Sequence, residues 1–122
     1  MASGRVVWMN GRLVPEAEAK ISVYDSALMS GDMVFEMTRS FGKRQFKLRE
    51  HLERLYAGLK ILRIPVGMDL AAMERHCQET IDANEPLFGA DGEHRLMLAR
   101  GRRRHGVGRA YPTSLQDKMR MG

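Results

Sequence analysis

A chain of 122 residues, 43% hydrophobic and 29% charged, carries enough apolar mass for one modest core, which excludes a disordered chain and a large multidomain assembly. No apolar run approaches the roughly 18 residues of a membrane-spanning helix, and the opening Met-Ala-Ser-Gly-Arg lacks the apolar stretch of a secretory leader. The formal net charge of +5 divides unevenly, with 12 Lys/Arg against 14 Asp/Glu in residues 1–94 and 8 against 1 in residues 95–122.

In chain order, Val6-Val7-Trp8-Met9 is rich in β-formers, and Asn10-Gly11 is the strongest two-residue hairpin signal a sequence offers. Leu13-Val14 is expected to return as a short second strand before Pro15. Ile21-Ser22-Val23-Tyr24 reads as a further short extended segment. Asp25 or Ser26 then caps a brief helical turn through Ala27-Leu28-Met29, closed by Gly31. Met33 to Phe41 reads as a longer strand, turned by Gly42-Lys43-Arg44 into Gln45-Phe46-Lys47.

Leu48, Leu52, Leu55, Leu59 and Leu62 step by four, three, four and three, the apolar stripe of an amphipathic helix that Pro65 ends. Asp69 caps a second helix, with Leu70, Met73, Cys77 and Ile81 on one face and Asn84 and Pro86 at its end. Arg95 to Gly101 is a last strand. Elements in this order predict an α+β fold, two main helices packed on a mostly antiparallel sheet. Cys77, the single cysteine, cannot close an internal disulfide, so a reducing cytoplasm is the expected setting, with the thiol a small buried hydrophobe.

At about 100° per residue, His51, Arg54 and Gly58 fall on one flank of the leucine stripe. An arginine at such a border can bury its stem and aim a planar fork at an anion, with Gly58 leaving the approach open. The plainer alternative is a surface arginine paired with Glu50 or Glu53. Phe35 reads either as core or as a site wall. Glu36, on the opposite strand face, is either solvated or tied to a basic neighbour.

The segments Trp8-Met9-Asn10-Gly11, Gly31-Asp32-Met33-Val34-Phe35-Glu36, the Gly42 hairpin, His51-Leu52-Glu53-Arg54-Leu55 and the strand ending Ala99-Arg100-Gly101 form an ordered set. Each is weak alone. Together, over residues 5–101, the set resembles the small N-terminal domain of the fold-type IV, or class IV, pyridoxal-phosphate aminotransferases. That family includes branched-chain and D-amino acid aminotransferases and aminodeoxychorismate lyase. The resemblance implies amino transfer from an amino acid to a 2-oxo acid, pyridoxal 5′-phosphate as cofactor, and a homodimer. It gives Arg54 the cofactor's phosphate and Phe35 a wall of the substrate pocket. Arg95 matches an arginine near the substrate carboxylate in branched-chain enzymes, and Arg100 the carboxylate-trapping arginine of D-amino acid enzymes. Arg95 and Arg100 are an odd number of residues apart, so a regular strand points them to opposite faces. Phe35 and Arg95 favour the branched-chain type.

The chain also departs from the pattern. Ser30 stands where an aromatic is usual, Met37 where a small residue is usual, and Ala99 where Thr is usual. No catalytic residue is assigned, because the lysine that reacts with the cofactor's aldehyde belongs to the family's second domain, and Lys118 has no matching context. The expected organisation is therefore a class IV N-terminal domain over residues 1–101 and a basic tail, disordered or aberrant in origin, over residues 102–122, with no appreciable turnover from this chain alone. Two other classes compete: a nucleic-acid binder using the basic tail, and a noncatalytic interaction domain.

Overall fold

In the computed structural model, which describes residues 4–102, Asn10 and Gly11 adopt positive φ angles of 52° and 95°. This is the twist that a tight hairpin requires. They join β1 (Val6–Met9) to β2 (Arg12–Pro15), paired antiparallel from Val6 opposite Pro15 to Met9 opposite Arg12. A single 3₁₀ turn, Glu16–Glu18, follows. The expected extended segment at Ile21–Tyr24 is not a strand. Ser22 instead folds it into a turn, its Oγ accepting from the Tyr24 N–H at 2.9 Å and its carbonyl from the Asp25 N–H at 3.1 Å. Ile21, Val23 and Tyr24 are left exposed, so β-propensity there finds no strand to pair with.

Asp25 caps α1 (Ser26–Ser30), its Oδ1 accepting from the Ala27 N–H at 2.8 Å, and Gly31 ends the helix in the left-handed region. The central strand β3 (Met33–Phe41) pairs antiparallel with β4 (Arg44–Gln45) and with β5 (Arg95–Gly101), giving the order β4-β3-β5. β4 is shorter and earlier than the expected return strand, because Lys47 already sits at φ 55° as the residue before α2.

α2 (Leu48–Ile61) and α3 (Leu70–Asn84) cover one face of this sheet. Leu52, Leu55 and Leu59 are essentially buried, and with Ile64, Met73, Cys77, Leu96 and Leu98 they form the core. Burial of each such side chain is worth about 1.5–3 kcal/mol. The stripe breaks at Leu62, which is 42% exposed. The helix has ended at Ile61, Arg63 turns the chain at φ 56°, and Ile64 takes the core position. Burial also raises the Cys77 thiol's pKa to about 11, so this group is an inert part of the core.

Gly58 fixes how closely α2 lies on the sheet. A Cβ there would stand 3.1 Å from Cγ1 of Val34, so the position serves close packing on β3, in contrast to the open approach expected from the sequence. The alternation along β3 leaves Phe35, Met37, Arg39 and Phe41 on the face away from the helices. No described helix is long and apolar enough to cross a membrane. The run Arg103–Arg104, Lys118 and the rest of the basic tail lie outside the described residues.

Leu55→Ala is expected to lower the unfolding free energy by about 2–5 kcal/mol in urea titrations. Leu62→Ala, from the same predicted stripe, is expected to change it by less than about 0.5 kcal/mol. Equal losses at both positions would contradict the observed end of α2.

Candidate functional site

Alternation along β3 turns Val34, Glu36, Thr38 and Ser40 toward the helices. Glu36 therefore carries a carboxylate into a layer of leucines, where its side chain is only 7% exposed. An ionised group in that setting needs partners, and α2 brings two from consecutive turns. Oε2 accepts from Nε of Arg54 at 2.7 Å, and Oε1 accepts from Arg54 Nη2 at 2.8 Å. Oε1 also lies 2.7 Å from Nδ1 of His51. A carboxylate can only accept, so Nδ1 carries the hydrogen.

The fork from Arg54 is the largest influence on this carboxylate and, aided by His51, lowers its pKa to about 2 against the opposing effect of burial. Glu36 in turn raises the pKa of Arg54. Arg54 is thus paired with Glu36, and not with Glu50 or Glu53. Its side chain is nevertheless 71% exposed. Only the Nε–Nη2 edge of the guanidinium is taken. Nη1 makes no hydrogen bond among the described residues, so a second edge faces outward, oriented from behind by a buried anion.

The other predicted site residues divide between the two faces of the sheet. Phe35, next to Glu36, points to the open face and is 61% exposed, so it is not core. Its cross-strand neighbour is Ala99, and Met37 stands opposite Met97, 62% exposed. Arg95 shares that open face, opposite Arg39, and its guanidinium has no partner among the described residues. Arg39 lies over the Phe41 ring, 4.2 Å from its centroid.

Arg100 is on the helix-covered face, opposite Val34. It donates to the Pro65 carbonyl through Nη2 at 2.6 Å and Nε at 3.2 Å, and Nη2 also lies 3.3 Å from the Val66 carbonyl. The structure therefore joins Arg54, His51 and Glu36, sets Phe35 one residue away on the other side of the strand, and separates Arg95 from Arg100.

One interaction had no counterpart in the sequence reading. Arg102 donates to Asp32 Oδ2 at 2.8 Å and to the Leu62 and Arg63 carbonyls at 2.6 and 2.9 Å. It thereby serves the last carbonyls of α2, where a cation is favoured. Two signals were present in the sequence: the parity of Glu36 with Val34 and Thr38, and that of Arg102 with Arg100.

Because Glu36 has a lowered pKa in the fold, its contribution to stability is present above about pH 4.5 and is lost as the pH falls toward 2. Thermal melts of the native chain are expected to drop across that window, with Glu36→Gln less stable at neutral pH and flatter below it. Parallel pH profiles for the two proteins would count against the buried pairing.

The model of the family "Amino-transferase class IV" matches residues 33–117. Branched-chain-amino-acid aminotransferase of Escherichia coli K12 is 34% identical over 82 residues, covering 64% of this chain and 26% of that protein. Among solved structures, the branched-chain aminotransferase of Thermoproteus uzoniensis with norvaline superposes with a TM-score of 0.68 at 30% identity, over 84% of this chain and 36% of that one. The T.th. branched-chain amino acid aminotransferase complexed with N-(5'-phosphopyridoxyl)-L-glutamate gives 0.61 at 35% identity, over 69% and 29%. The chain spans about a third or less of the length of the curated relatives it matches.

Proposed function

The chain belongs to the class IV aminotransferases, and we propose that it supplies the phosphate grip and one substrate wall of a pyridoxal 5′-phosphate-dependent aminotransferase. The reaction is amino transfer from an amino acid of the branched-chain kind to a 2-oxo acid. The observation that carries this reading is the outward edge of Arg54, held by Glu36 and open to solvent.

The residues present suit the cofactor. A guanidinium has five N–H donors in one plane, and the fork on Glu36 leaves the Nη1 side for phosphate oxygens. When bound, pyridoxal phosphate supplies the electron sink that lets an amino group pass between two carbon skeletons. Arg54 holds the phosphate end, and Glu36 and His51 keep that guanidinium from swinging. Phe35 gives the substrate side chain an aromatic wall, continued by Met37 and Met97. Arg95, unpaired on that face, takes the substrate carboxylate. Arg100 would have to leave two backbone carbonyls to compete for it, which supports the branched-chain type over the D-amino acid type.

In this reading residues 1–101 form the N-terminal unit of the enzyme and residues 102–122 a basic extension. The protein acts as a homodimer in the cytoplasm. The single cysteine suits a reducing compartment. Exposed Leu28, Met29 and Phe41 supply apolar surface for association.

Absorbance titration should show the full chain binding pyridoxal 5′-phosphate more tightly than pyridoxal. Arg54→Gln should weaken the phosphorylated form about 10- to 100-fold, the worth of hydrogen bonds to a charged group, and leave pyridoxal unchanged. If the substituted chain treats both ligands as the native one does, Arg54 does not hold the phosphate.

A further inference from the structure

A second cleft, of about 380 Å³, opens where the last turns of α3 meet the turn after β3 and the approach to β5. Lys43, Ile81, Asp82, Glu85, Phe88 and His94 are among its lining, and it shares no lining residue with the Arg54 cluster or the Phe35 face. Its volume lies within the range of about 300–1,000 Å³ usual for small-molecule sites.

Its walls are tied together. Glu93 accepts from the Lys43 N–H at 2.8 Å and from Ser40 Oγ at 2.9 Å, while the His94 N–H donates to Ser40 Oγ at 2.8 Å. The His94 ring stacks on Phe88, centroids 4.3 Å apart and 7° from parallel. Lys43 is steered as well as anchored. A Cβ on Gly92 would lie 2.9 Å from its Cγ and Cε, so the aliphatic stem runs directly over that glycine. On the other wall, Asp82 is held through one oxygen by Gln78 Nε2 at 2.8 Å, and Glu85 follows the last turn of α3, the end of a helix that favours a positive charge.

Opposite charges thus border one cleft without neutralising each other. Among the described residues, Lys43, Asp82 and Glu85 form no ion pair with one another or with any other side chain. Between the two poles lie the apolar side chain of Ile81 and the stacked Phe88 ring. A ligand matching this arrangement carries an anionic group, a cationic group and an apolar portion within a few bonds.

We propose that this cleft binds a free α-amino acid with an apolar side chain. Lys43 receives the carboxylate, Asp82 and Glu85 receive the ammonium, and Ile81 and Phe88 receive the side chain. The site is independent of the phosphate grip at Arg54. His94 acts as wall only, since its Nε2 is covered and has no hydrogen-bond partner.

The test is an NMR titration of the full chain with L-leucine, read on the Phe88 and His94 ring signals, beside two probes that each lack one pole, isoamylamine and 4-methylpentanoate. Leucine should give saturable shifts at millimolar concentration, on the order of −4 kcal/mol. Each single-pole probe should bind at least about fivefold more weakly. Lys43→Met, and Asp82→Asn with Glu85→Gln, should each weaken leucine about two- to fivefold, the range of exposed ion pairs. Arg54→Gln should leave it unchanged. The proposal falls if these rings do not respond, if the amine alone binds as well as leucine, or if the cleft substitutions have no effect. Loss with Arg54→Gln alone would assign the binding to the other site.

Discussion

A carboxylate buried on the helix-covered face of β3 is the constraint around which this domain is arranged. Glu36 could not remain there charged without donors, and water does not reach it freely. α2 provides them because residues three apart on a helix face the same way, so His51 and Arg54 arrive together on one carboxyl group. The ion pair and the apolar packing are therefore one arrangement. Leu52 and Leu55 fill the core from the turn that carries the two donors, and Gly58 lets the next turn settle against Val34. If that turn shifted, the arginine would lose its fork and Glu36 its compensation.

The same logic of strand parity distributes the arginines of β5. Arg95 falls on the open face, beside methionines and near Phe35, with nothing to hold it among the described residues. Arg100 falls on the covered face, where the chain leaving α2 has turned and presents free carbonyls. Arg102 repeats that position two residues on. The two guanidiniums reach the carbonyls of Leu62, Arg63, Pro65 and Val66, which tie the end of β5 to the helix connection. These bonds brace the far end of α2 from the Glu36 pair, so the helix bearing Arg54 is fixed near both ends.

Much of this was legible in the sequence, for definite reasons. The Asn10-Gly11 turn, the Asp25 and Asp69 caps and the leucine stripe are local signals, and each element they mark is present. Residues Ile21–Tyr24 misled because β-branched and aromatic content signals a strand only when another strand is there to pair with it. Leu62 misled because periodicity does not reveal where a helix has already stopped. The α+β layering, with two helices on an antiparallel sheet, followed from element order and holds. The partner of Arg54 was not legible. Glu50 and Glu53 were near in sequence, whereas Glu36 became near only when β3 and α2 packed, 18 residues apart along the chain. Long-range pairing of this kind leaves only parity as a trace.

That pairing bears on what Arg54 can recognise. One guanidinium set against one carboxylate leaves little net attraction at a distance, so the site does not act as a diffuse basic patch. What remains outward is geometry: unspent N–H groups in a fixed plane, with the opposite edge immobilised. An oxyanion with several oxygens can satisfy such an edge by short, directed hydrogen bonds, and the ordering of the arginine has already been met by Glu36. A lysine in the same place could hold Glu36 or face the ligand, but its single ammonium could not do both along two edges. The buried glutamate therefore makes the exposed arginine specific, and the requirement for bidentate recognition follows from the strand beneath the helix as much as from the ligand above it.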